Sequence, residues 1–93
     1  MTDLVRAHVV VSGRVQGVAF RAFTREQALH RGLCGGVRNL DDGRVEAFIQ
    51  GSRADVMALI DTIRVGPRLA HVDDVAVSWS EPISTESTFS IWY

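Results

Sequence analysis

The chain has 93 residues, with ten basic against eleven acidic side chains and a net charge of −1, which suits one compact domain over residues 1–93. That balance offers no broad positive field, so a nucleic-acid or membrane partner is not expected and any anion must be held locally. The single cysteine, Cys34, excludes an internal disulfide, no apolar run approaches the ~18 residues that cross a bilayer, and the opening Met-Thr-Asp lacks a secretion signal, so a reducing cytoplasm is expected.

From Leu4 to Ser12, Val5, Ala7, Val9 and Val11 alternate with Arg6, His8, Val10 and Ser12, the period of a strand with one buried face. A turn containing Gly13 and Gly17 follows. Phe20, Phe23, Thr24, Gln27 and Ala28 then recur at helical spacing, and Gly32 suits the stop because glycine adopts the left-handed conformation most easily. A weaker strand from Leu33 to Leu40 is interrupted by Gly35 and Gly36. Asp41-Asp42-Gly43 carries hairpin-turn chemistry, since Asp and Gly tolerate positive φ.

Val45, Ala47 and Ile49 alternate with Glu46, Phe48 and Gln50 in a third strand. Ser52 is a good N-cap, and Asp55 completes an imperfect capping box. Val56, Leu59, Ile60 and Ile63 give the best helical stripe in the chain, which Gly66-Pro67 ends. Val75, Val77 and Trp79 mark a further strand, and Phe89, Ile91 and Tyr93 a short terminal one. The order β-α-β-β-α-β, with one extra strand, predicts an α+β, ferredoxin-like split β-α-β: an antiparallel sheet with two helices packed on one face. No repeat, linker or low-complexity tract interrupts it.

The stretch "VSGRVQGVAFRAF", Val11 to Phe23, passes from strand through glycine turn to helix. Successive backbone N–H groups in such a turn, with the unpaired donors of the first helical turn, can converge on a phosphate or carboxylate. Arg21 adds a planar fork of donors matched to phosphate oxygens. Spacing alone equally allows a plain turn with a solvated arginine. The stretch is neither a Walker P-loop nor a Gly-x-Gly-x-x-Gly loop. In "VRNLDDG", Asn39 ends a strand before a hairpin; its amide suits turn bonding or the orienting of a water beside a bound anion.

"GRVQGVAFR" resembles the acylphosphatase signature, and "GGVRN", "DGRVEAFIQG", "GPRLAHV" and "FSIWY" follow in the order of that family's other hallmarks. The resemblance covers nearly the whole chain. It implies hydrolysis of the carboxyl–phosphate bond of small acyl phosphates, with phosphate or sulfate as competing anions. It further implies a backbone cradle from Val15, Gln16, Gly17, Val18, Ala19 and Phe20, phosphate binding by Arg21, and Asn39 positioning the attacking water. Neither metal nor organic cofactor is implied, and a free-standing monomer is expected. Two positions depart from the pattern. Ala19 stands where many members carry glycine, though others carry larger residues. Gly36 stands where an aromatic is common, which implies poorer packing beneath the strand carrying Asn39.

Such a site makes chemical sense with few groups, because a carboxylate leaving group (conjugate-acid pKa about 4) needs no proton at neutral pH. The remaining reactive side chains read blandly. Cys34 has no cysteine partner, His8, His30 and His71 lack ligand spacing, and Trp79, Phe89 and Trp92 suit core or half-buried strand positions. A non-catalytic ferredoxin-like module that binds an anion or small ligand is the alternative, since this fold class hosts both. A third is a module within a carbamoyl-transfer machine, against which the chain length argues.

Overall fold

The computed structural model describes residues 3–83 and 87–93. Strand β1 (Leu4–Arg14) is an inner strand of a five-stranded sheet, between β3 (Val45–Ser52) and β4 (His71–Ser80). Beyond β3 come β2 (Cys34–Asn39) and β5 (Phe89–Ile91), giving the order β4-β1-β3-β2-β5. Every pairing is antiparallel except β2–β5, which is parallel. Alternation fixed which residues face inward but carried no information on the direction of the terminal strand.

Period-two alternation in β1 puts Val5, Ala7, Val9 and Val11 on one buried face, and Val45, Ala47 and Ile49 lie beside them across the β3 register. Helices α1 (Phe20–His30) and α2 (Arg53–Val65) cover that face. From α2, Val56, Leu59, Ile60 and Ile63 are all buried to 2% exposure or less. Burying each such side chain contributes about 1.5–3 kcal/mol, whereas a helix this short is marginal by itself, so packing holds it. The α1 stripe is leaner: Phe20, Thr24 and Ala28 are buried, and the Thr24 hydroxyl donates to the Phe20 carbonyl at 2.9 Å. This is the ferredoxin-like α+β architecture expected from the pattern.

The opposite face of the sheet is polar and aromatic. His8 stacks on Phe48 with ring centroids 4.6 Å apart, and its Nε2 lies 2.7 Å from a Glu46 carboxylate oxygen. Arg38 Nε donates to the other Glu46 oxygen at 2.7 Å. Partial burial would raise the Glu46 pKa, but the bonds from His8 and Arg38 outweigh it and hold the carboxyl below its ordinary value. The Gln50 amide both donates to the Ile83 carbonyl and accepts the Ile83 N–H, tying the segment after β4 to the middle of the sheet.

One sequence expectation changes here. Gly36 was expected to leave poor packing, yet the Trp92 indole lies over it and fills the space any Gly36 side chain would take. Trp92 N–H also donates to the Val37 carbonyl at 2.7 Å. An aromatic from outside β2 therefore covers the glycine. Trp79 takes the half-buried alternative, 45% exposed because β4 is an edge strand, and the Arg53 guanidinium lies over its ring at 5.3 Å.

Candidate active site

The site begins where β1 leaves the sheet. Its pairing with β4 shifts between Ser12 and Gly13, and Gly13 sits at φ +124° with a Cβ there striking the His71 carbonyl. Only glycine fits that close approach. Val15 then buries its side chain to 1% exposure and anchors the loop, which runs to Ala19 without regular structure.

Along this loop the backbone alternates in hand: Gly17 has φ +73° and Ala19 φ +62°, whereas Gln16, Val18 and Phe20 have negative φ. Alternating right- and left-handed residues aim consecutive N–H groups into one concavity, the geometry of an anion-binding nest. None of the N–H groups from Val15 to Ala22 donates to a protein acceptor among the described residues. The N-cap residue of α1, Ala19, makes no side-chain cap, and the first turn holds no acidic residue. Free donors and the positive end of the helix dipole thus point the same way.

The loop residues Val15, Gly17, Ala19 and Phe20 line a hollow of about 160 Å³. Arg21 and Ala22 from α1 continue its wall, and Asn39 and Ile91 complete it. The two side chains singled out from sequence, 18 positions apart, therefore share one small cavity. Asn39 ends β2 on the helix-covered face, in register with Val45. Its Oδ1 is buried and has no hydrogen-bond partner among the described residues. A buried, unpaired acceptor costs about 1–3 kcal/mol, so it calls for a ligand or water to donate to it. Arg21 is half-buried, and among the described residues no carboxylate pairs with it; its guanidinium carbon lies 5.3 Å from the Tyr93 ring.

Of the six cradle positions, Gln16 and Val18 do not line the hollow. Val18 packs against the core, and Gln16 has a different task. Its side-chain Nε2 donates to the carbonyls of Leu40 at 2.7 Å and Arg44 at 2.9 Å. This fastens the loop to the hairpin that follows Asn39. The hairpin is held in turn by Leu40 N–H on the Arg44 carbonyl and by Asp42 Oδ1 accepting the Arg44 N–H. Sequence reasoning missed this bond, as it missed Ile91 and Ala22, because none has a local signature.

An acylphosphatase family model matches residues 7–91. The chain belongs to the acylphosphatase family. An acylphosphatase from Chloroflexus aurantiacus is 54% identical over 89 residues, covering 96% of this chain and 97% of that protein. The crystal structure of an acylphosphatase from Bacillus subtilis superposes with a TM-score of 0.92 at 36% identity, covering 96% of this chain and 99% of that one. The acylphosphatase fold also recurs within full-length HypF in its phosphate- and nucleotide-bound form, with a TM-score of 0.87 at 25% identity. There it matches all of this chain and 12% of the larger one.

Proposed function

We propose that the protein hydrolyses small acyl phosphates, with the loop N–H groups and Arg21 holding the phosphoryl group and Asn39 orienting the attacking water. The observation that carries this reading is the orphaned Asn39 Oδ1 sharing a cavity with Arg21 and a row of unpartnered donors. The water oxygen bonds to phosphorus as the bond from phosphorus to the acyl oxygen breaks. The carboxylate leaves with the electron pair, and the proton from water passes to solvent or to the phosphate formed. No general acid is required, because a carboxylate is a stable leaving group at neutral pH. What remains is positioning and charge stabilisation, which suits preorganised amides and a guanidinium fork.

Asn39 accepts one hydrogen of the water through Oδ1 and so turns a lone pair toward phosphorus. Arg21 meets the phosphate oxygens in both ground and transition state. On this reading the enzyme is a metal-free, cytoplasmic monomer for which phosphate and sulfate compete; no described helix is long and apolar enough to cross a membrane. Turnover of acetyl phosphate after exhaustive chelation tests it. Asn39→Ala is expected to lower kcat by about 10²-fold while phosphate inhibition stays within twofold of the parent. A variant that melts early but turns over normally would return Asn39 to a purely structural place in the hairpin.

A further inference from the structure

A second hollow, of about 350 Å³, adjoins the first: Ala22 lines both. Its other walls are Arg25, Glu26 and Leu29. With Ala22 these residues are spaced i, i+3, i+4 and i+7, so they form one stripe of α1 leading away from the phosphate cradle. Pockets that take small organic groups measure about 300–1,000 Å³. The cradle hollow falls below that range and the α1 hollow within it. A phosphoryl group and its attacking water account for the first, so the acyl group has to leave it, and past the single methyl of Ala22 it enters the second hollow directly.

The groove beyond suits one kind of occupant. Ala22 and Leu29 give it apolar ends, with Leu29 43% exposed, while the aliphatic stems of Arg25 and Glu26 lie between them. Opposite charges side by side favour no net charge on the guest. An alkyl chain laid there takes Leu29 out of water and leaves both charged heads solvated. Tyr93, with its ring 5.3 Å from the Arg21 guanidinium carbon, is 99% exposed and lines neither hollow.

We propose that this stripe of α1 is an acyl subsite, and that the protein prefers acyl phosphates with an unbranched apolar chain of several carbons over acetyl phosphate. The proposal rests on the acyl phosphate reading above and specifies its substrate. The test compares kcat/KM for hexanoyl and acetyl phosphate in the parent, Leu29→Ser and Leu29→Met, with melting temperatures measured alongside. Hexanoyl phosphate should be favoured about fivefold to tenfold in the parent and in Leu29→Met, since an open groove recovers only part of the burial of four methylenes. Leu29→Ser should bring the ratio below about two with acetyl phosphate turnover unchanged. Equal use of both substrates by the parent, or a preference that survives Leu29→Ser, overturns the subsite. So does a ratio altered by Tyr93→Ala and not by Leu29→Ser, which would send the acyl chain past the tyrosine. Calorimetry with hexylphosphonate and methylphosphonate separates binding from turnover. Tighter hexylphosphonate binding, lost in Leu29→Ser, upholds the groove even if no acyl phosphate is hydrolysed, in which case the reaction reading fails alone. Equal binding of the two phosphonates overturns the groove.

Discussion

The two helices of this protein start in opposite ways. At α2, Ser52 sits in extended conformation and its hydroxyl accepts the Asp55 N–H, with the Asp55 carboxylate adding negative charge to the first turn. At α1, Ala19 offers no side-chain oxygen, the first turn has no acid, and its second residue is Arg21. A cation near the positive end of a helix dipole is unfavourable by about 0.3–1 kcal/mol. One helix start is thus satisfied from within the chain, and the other is left open and made more positive. Local rules are kept where only stability is at stake and broken where a bound anion can supply the missing charge and acceptors.

Substitutions that erase this contrast should differ in what they damage. The largest effect is expected at the open end. Arg21→Ala should lower kcat/KM by on the order of 10³-fold, because the fork contacts phosphate throughout the reaction. Arg21→Lys should recover only part of the loss, a point charge being no substitute for two parallel donors. Steady-state kinetics with phosphate inhibition checks both, and a lysine variant at parental kcat/KM would sink the bidentate role. The capped end should behave the other way. Ser52→Ala is expected to cost about 1 kcal/mol and so about 4–8 °C in melting temperature, with kcat of the folded protein unchanged.

The smallest effect concerns the strain at the open end. Ala19 holds φ +62°, a left-handed conformation that costs a non-glycine residue about 1–2 kcal/mol. Ala19→Gly relieves that strain but enlarges the freedom of the unfolded chain, which offsets part of the gain. A net stabilisation of up to about 1 kcal/mol is expected, read as a rise of a few degrees in melting temperature. A fall in melting temperature would show that the alanine is held there by contacts stronger than its backbone strain.

The open end was largely legible in the sequence, and its support was not. A glycine turn between a β-branched run and a helix, ending in Arg21, marks a candidate anion site through local chemistry, and the family resemblance singles it out from a plain turn. Asn39 could be placed at the end of its strand because Asp41-Asp42-Gly43 marks the hairpin. Gln16 looked like one more loop amide, since its partners Leu40 and Arg44 lie 24 and 28 positions away. The indole of Trp92 over Gly36 is likewise a meeting of distant residues, and no pattern in either segment announces it. Trp79 read as core or half-buried from its alternation; only the strand order reveals that it sits on an edge and so keeps 45% exposure. Periodicity tells which way a side chain faces within its element, and the neighbouring element decides what it meets.

The placement of β5 has a consequence for how the protein is made. Ile91 walls the hollow shared by Arg21 and Asn39, and among the described residues β5 pairs with β2, far earlier in the chain. A nascent chain halted before Phe89 would already carry the glycine loop, Arg21 and Asn39, yet the outer edge of β2 would stand bare and the hollow would lack a side. Domains form as synthesis proceeds from the N-terminus. On the proposed reading, phosphate binding therefore waits for β5 to emerge and pair with β2, and a bound anion would lend its stabilisation to copies with β5 docked ahead of copies without it.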